Sequence, residues 1–391
     1  MSPAIKSERR PDLDWIRVSA FFLLILYHVG MFYVPWGFHV KSPDPVAWLE
    51  PVMRLSSPWR LTLLFLVSGA ATRFMADKLS AGALARARTA RLLPPLVFAI
   101  LVIVPPQTYY EIVEKLGYSG GVIDFYRKYL TASGHWRTDG APLITPTYNH
   151  MWFVAYLLVY SLLLAGLLPL VRGGVAAVER SLDRLAGGWG LLLVPILVLA
   201  GLQLWLAPRF PITHALFDDW YNHALSLAAF LFGFLSAKSE TLKAGFIRLR
   251  WAALALAVAG YLVFMWTDPP PVIGRIAYAV DQWAAIAAIL GFAGMHVTRG
   301  GPVLTYLTLG VFPFYIVHQT FIVVAGHHLA KLGLPQGLEA LMLVAGTFAT
   351  CLATYEIVRR VNWLRPLFGL KAEPRRAALR AEIAHGRASG Q

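Results

Sequence analysis

The sequence predicts an all-α, polytopic membrane protein of about ten transmembrane helices with both termini cytoplasmic, and three observations carry that reading. Of its 391 residues 57% are hydrophobic and only 14% are charged, whereas roughly a quarter of a soluble chain is charged. Ten apolar stretches each approach the ~20 residues that a helix needs to cross a bilayer. With the N-terminus inside, 25 of the 35 Lys and Arg residues fall on the inner side and ten on the outer, which is the bias that the positive-inside rule demands.

The first stretch, 14–36, follows Lys6, Arg9 and Arg10 as a secretory signal would. Its apolar run is too long, however, and bulky Phe32, Tyr33 and Trp36 stand where a cleavage site needs small residues. It is therefore expected to remain as an uncleaved span. Stretches 58–77 and 92–110 come next, separated by the inner basic run "RARTAR" at 86–91. The outer connection 111–149 mixes aromatics, Gly, Pro and paired charges at near neutrality, a composition that suits a folded cap or a sugar-contacting surface as well as an ordinary loop. Stretches 149–170, 189–208, 219–237, 247–266, 277–296, 302–326 and 338–358 complete the set. Residues 1–358 thus read as one membrane-embedded domain and 359–391 as a basic cytoplasmic tail.

The net charge of +14 is mostly an inner-surface feature that leans on the anionic headgroups of the lipid bilayer. No soluble domain remains to read a nucleic-acid groove, so no nucleic-acid partner is expected. The single cysteine, Cys351, excludes an intrachain disulfide and a Cys-based metal cluster. There is no His-Glu-x-x-His and no phosphate-cradling glycine loop, so no metal and no permanently bound cofactor are expected.

Polar side chains at bilayer depth are costly and mark function by default. Arg17 and His28 are eleven residues apart, which returns them to within about 20° of one helix face, separated by about 16 Å along the axis. Taken singly, Arg17 reads as a snorkelling topology residue and His28 as a satisfied interior histidine. Sharing a stripe, they favour function. By helix direction, His150, Asp219, His223, Asp281 and His318 come out near the outer half with His28, and Arg73, Arg86, Arg88 and Arg91 on the inner side. The topology reading for the arginines and the interfacial reading for His150 and Asp219 explain each alone. Two segregated layers instead suggest a tunnel with an anion-binding inner mouth and a proton-handling outer chamber. Two chemistries fit such a tunnel. A proton-coupled secondary transporter would hold the same residues on inward faces. An acyltransferase using acyl-CoA as donor substrate would need arginines for the phosphates, a passage for the pantetheine arm, and a histidine beside the thioester.

Several stretches carry a resemblance: "LDWIRVSAFFLLILYHVG" (13–30), "LLFLVSGAATRFM" (63–75), "RTARLLPP" (88–95), "NHMWFVAYLLVYSL" (149–162) and "FPFYIVHQTFIV" (312–323). Together and in this order they resemble the acyltransferase 3 family of membrane acyltransferases, closest to the branch that succinylates osmoregulated periplasmic glucans. The resemblance implies a multi-pass protein of the bacterial inner membrane that moves an acetyl- or succinyl-type group from cytoplasmic acyl-CoA to a hydroxyl of an extracytoplasmic carbohydrate. It implies His28 as the essential histidine, either general base or transient acyl carrier, and Arg17 as a donor-side residue. Arg88 and Arg91 match the family's Arg-x-x-Arg, implying contact with acyl-CoA. Ser68 and Gly69 match its Ser-Gly, whose other reading is close helix packing, and His150 and His318 match recurrent positions. Arg73 and Asp281 join these as expected substrate-binding residues from the layering alone. No family-type esterase domain follows residue 358 in this sequence, so delivery to a distant acceptor would need another protein.

Overall fold

A computed structural model describes residues 10–373 apart from 139, 186 and 268; the expectations for 374–391, Lys6 and Arg9 lie outside the described residues. Each of the ten predicted stretches falls on helix. In chain order these are α1 (Pro11–Tyr33), a short outer α2 (Glu50–Ser56), α3 (Arg60–Ala76), α4 (Ala81–Phe98), α5 (Pro105–Leu116), a second short outer helix α6 (Val122–Leu130), α7 (Trp152–Leu185), α8 (Gly190–Trp205), α9 (Trp220–Ser236), α10 (Glu240–Trp266), α11 (Pro271–His296), α12 (Pro302–Leu329) and α13 (Gln336–Val358). Among the described residues seven helical stretches are long and apolar enough to cross a bilayer. The others, α3, α8 and α9, have 17, 16 and 17 residues. At 1.5 Å per residue that is about 24–26 Å, short of a hydrocarbon core of about 30 Å. Their flanking residues or a locally thinner bilayer must make up the difference.

The stretch predicted at 92–110 belongs to a longer run. Helix α4 passes through a π-helical segment, Ala99–Ile103, into α5, and the whole run 81–116 counts as one apolar stretch. Pro105 and Pro106 explain the break, because each lacks an N–H and crowds the carbonyl one turn back, at 101 and 102. The arginines at 86–91 therefore stand on helix α4 and not in a loop.

Small residues set the tightest crossings. A Cβ added at Gly69 of α3 would lie 1.9 Å from the carbonyl oxygen of Phe230 on α9, and one added at Gly233 would lie 1.9 Å from that of Leu66. With no side chain at either point the two backbones touch, which is how helices gain van der Waals contact where lipid gives no hydrophobic drive. Gly260 does the same for α10 against α11, where a Cβ would meet Ala277 O at 2.7 Å. Helix α1 lies against α12, and α4 against α7.

The outer connection 111–149 is a folded cap. Phe125 and Tyr129 of α6 are fully buried among Tyr109, Tyr118 and Trp136, with the Phe125 and Trp136 rings stacked at 5.4 Å. A minimal hairpin of β1 (Arg137–Thr138) and β2 (Ala141–Pro142) follows. The Tyr129 hydroxyl accepts from the Thr147 N–H at 3.0 Å, tying the cap to the start of α7.

Candidate active site

A chamber of about 740 Å³ opens among the outer ends of α1, α3, α5, α7 and α12 beneath the cap, and His28, His39, Arg60, Glu111, His150 and Gln319 line it. His318, fully buried on α12, stands directly behind His28. Three of the four histidines expected near the outer half thus come together, with ring centroids 5.0 Å apart for His28 and His318 and 5.2 Å for His150 and His318.

Carbonyl acceptors fix their neutral tautomers, since a carbonyl oxygen can only accept. His28 Nδ1–H donates to Leu24 O at 2.9 Å, one turn back on α1, and also faces His318 Nε2 at 3.3 Å. His318 Nδ1–H donates to Tyr315 O at 2.6 Å, which leaves its Nε2 as the acceptor of the His28 proton. His150 Nε2–H donates to Ile316 O at 3.1 Å, and its Nδ1 accepts from the Gln107 amide at 3.3 Å. Both ring nitrogens of His150 and His318 are engaged. Of the three, only His28 keeps a nitrogen, Nε2, that meets no hydrogen-bonding group among the described residues, on a ring that lines the chamber. That atom is an unprotonated imidazole nitrogen free to take a proton.

Four of the chamber residues named above, Arg60, His39, Glu111 and Gln319, carry no sequence expectation. Arg60 is 4% exposed, its guanidinium carbon 3.6 Å from the Tyr27 ring centroid. It donates to Ser56 Oγ at 3.0 Å, while its Nε has no partner. Among the described residues no carboxylate pairs with it, and it lies within electrostatic reach of His28. A buried cation so placed stabilises negative charge developing nearby. Its signal was an arginine near the start of the second apolar stretch, where it reads equally well as a topology charge. His39 and Glu111 form a carboxylate–imidazole pair at 2.5 Å, and Gln319 donates to His39 Nε2 and to Gln107 Oε1, each at 3.0 Å. They lie 72 residues apart, so only folding reveals them.

On the inner side, Arg88 is buried on α4, its Nε donating to Ser161 Oγ at 2.9 Å. Its Nη2 is buried without a partner. Arg91 lies within electrostatic reach of Arg88 and of Arg17, and Arg17 pairs with Asp14 at 3.3 Å. Three guanidinium groups gathered here, with the Arg88 Nη2 donor buried and unmatched among the described residues, make the kind of place an anion site requires.

A free imidazole nitrogen on one side and an arginine cluster on the other meet a decisive comparison here: residues 10–357 match the family described as an acyltransferase domain. The chain belongs to the acyltransferase 3 family. No curated protein and no solved structure matches it. Membership makes it a multi-pass membrane acyltransferase.

Within this family framework several expected residues fall elsewhere. Arg73 is already neutralised, pairing with Asp77 at 3.1 Å and Glu179 at 2.7 Å, so it fastens α3 to α7 and is not available to a substrate. Ser68 does not line the chamber. It precedes Gly69, which makes the close α3–α9 crossing. Asp281 lines a separate apolar groove of about 660 Å³ between α1, α3, α10 and α11, away from the three histidines. Asp219 accepts from the Tyr156 hydroxyl at 2.7 Å, the Asn222 amide at 2.8 Å and the His214 N–H at 3.0 Å. It clips the loop before α9. His223 stacks on Tyr156 at 4.2 Å in the same cluster. The expected tunnel is also corrected: the chamber lining includes none of Arg17, Arg88 and Arg91, and buried Phe21 packs edge-on against two of its lining residues, Phe153 at 6.3 Å and Tyr315 at 5.4 Å. Aromatic rings close-pack wherever helices approach this nearly, and they separate the two polar layers. Among the described residues no group of three or more His, Cys, Asp or Glu could hold a metal ion.

Proposed function

We propose that the protein transfers an acyl group of acetyl or succinyl type from acyl-CoA, bound on the cytoplasmic side, to a hydroxyl of an extracytoplasmic carbohydrate such as a periplasmic glucan, in the bacterial inner membrane. The observation that carries this reading is the free imidazole nitrogen of His28, Nε2, which lines the chamber under the cap on a ring held from its other side by Leu24 O and His318. Membership of an acyltransferase family supplies the reaction class.

In this reading His28 Nε2 takes the proton of the acceptor hydroxyl as its oxygen attacks the thioester carbonyl. The tetrahedral oxyanion that forms is stabilised by the uncompensated Arg60 cation. Collapse of that intermediate breaks the C–S bond, and the imidazolium proton goes to the departing CoA thiolate, leaving an O-acyl ester and free CoA. The Leu24 carbonyl and His318 hold the ring by its Nδ1–H, so that Nε2 stays unprotonated and aimed. Arg88, Arg91 and Arg17 bind the phosphates of the donor, and the pantetheine arm enters by parting the contact of Phe21 with Tyr315. Residues 1–358 carry the reaction, and the basic tail rests on the inner headgroups.

Sidedness is the test. In sealed vesicles of known orientation, acyl-CoA on the side of Arg88 should support acylation of glucan on the side of the cap, with free CoA appearing on the donor side. Acylation only when both substrates share one side would overturn the through-membrane reading. Movement of an unmodified solute without CoA release would point to transport instead.

A further inference from the structure

A second outer cavity, of about 800 Å³, lies between α3, α8, α9 and α11, within the range of ligand sites in general. It shares Ser57, Leu61, Trp152 and His214 with the His28 chamber, so the two adjoin across one wall. Trp152 and His214 stack there at 4.4 Å and 26°, and the Asp219 clip holds His214 in place through its backbone N–H. The lining of this second cavity differs from that of the chamber. It presents flat aromatic faces, among them Trp152 and Trp266, beside hydrogen-bonding groups that are uncharged apart from Arg275, whose Nη1 donates to Gln203 O at 3.0 Å.

Several of those groups are unfilled. Gln282 is 1% exposed; its amide nitrogen donates to Pro58 O at 2.8 Å and Thr62 Oγ1 at 3.0 Å, while its Oε1 is buried without a partner. A buried acceptor left unmade is costly, and here it belongs to a cavity-lining residue. The hydroxyls of Tyr221 and Tyr278 and the amide of Gln203, which also line the cavity, meet no hydrogen-bonding side chain or carbonyl among the described residues. Tyr278 lies within electrostatic reach of Tyr27 and Arg60, which line the His28 chamber, and Tyr221 within reach of Tyr278. Unfilled donors and acceptors therefore run from this cavity to the chamber wall.

We infer that this cavity is a binding site for an oligosaccharide, which holds the sugar units next to the one presented to His28. Aromatic faces match the C–H faces of pyranose rings, and amides and phenols match their hydroxyls. The Gln282 Oε1 can only accept, and so calls for a hydroxyl donor. This rests on the acyl-transfer reading above for the identity of the sugar as acceptor. The binding itself does not depend on that reading.

The experiment titrates the purified full-length protein with glucose and with a tetramer of β-linked glucose, followed by tryptophan fluorescence, alongside acyl transfer to each sugar. The tetramer should bind at least roughly tenfold more tightly than glucose. Gln282→Leu, Tyr221→Phe and Tyr278→Phe should each weaken tetramer binding by roughly three- to tenfold, the scale of one hydrogen bond. The two phenylalanine variants keep the packed ring and guard against misfolding. Tetramer binding no tighter than glucose, or unchanged in both phenylalanine variants, would overturn the inference. Tight tetramer binding without acyl transfer would refute the acyl-transfer reading and leave the cavity assigned. Transfer that ignores chain length and the variants would do the opposite.

Discussion

Replacing His28 with alanine removes the one imidazole nitrogen left free in the His28–His150–His318 cluster and disturbs little else. His318 Nε2 loses its donor at 3.3 Å, and the space vacated joins an existing polar cavity. The stability cost is therefore about 1 kcal/mol, the scale of one lost hydrogen bond. The rate cost is far larger: losing a general base costs roughly 10²- to 10⁴-fold, about 2.7–5.5 kcal/mol of barrier. His318→Ala behaves differently, because Leu24 O still holds the His28 Nδ1–H at 2.9 Å. That variant should lose about tenfold or less, and the double variant should be no slower than His28→Ala alone, since His318 acts only through His28. The assay is initial-rate CoA release matched to acylated glucan by mass spectrometry, on protein whose folding is checked by thermal denaturation. Wild-type rates in His28→Ala, or a loss in His318→Ala as large as in His28→Ala, would refute the assignment. An acyl group found covalently on His28 would convert its role from base to carrier.

The remaining predictions concern the cations and the packing. Arg88→Gln should raise the apparent donor KM by roughly ten- to hundredfold, as expected for a charge-assisted hydrogen bond, and Arg88→Lys should recover only part of it because an ammonium lacks the planar fork; an unchanged donor KM in the Gln variant would reduce Arg88 to a topology charge. Arg73→Gln should leave the donor KM where it is but lower thermal stability by about 1–3 kcal/mol, since it strips the partner of Glu179, and a donor KM shift like that of Arg88 would restore Arg73 to the site. Gly69→Val should destabilise the detergent-extracted protein by about 3 kcal/mol or more, because its Cβ would meet the Phe230 carbonyl at 1.9 Å and backbone cannot give way as a side chain can. A melting temperature equal to wild type would show that α3 and α9 separate freely.

The sequence by itself determined the class of fold, the positions of the ten helical stretches, and the family. All three are written locally, in apolar run length, in charge bias along the chain, and in short motifs that each sit on one helix. It also put His28 and Arg17 on one stripe, because helical periodicity is a local property. Partners far apart in the chain were decided only by the tertiary structure. Arg73 and Arg88 look alike in sequence; what separates them is that one meets the carboxylates of Asp77 and Glu179 while the other, among the described residues, meets the Ser161 hydroxyl and no carboxylate. Asp281 has the right depth for the histidine layer but faces a different groove, since depth along a helix does not determine which neighbour a face meets. Arg60, His39 and Glu111 entered the chamber through the packing of α3, the loop after α1, and α5. The tautomers that single out His28 likewise depend on backbone carbonyls of α1 and α12, whose placement around three rings is a consequence of the assembled bundle.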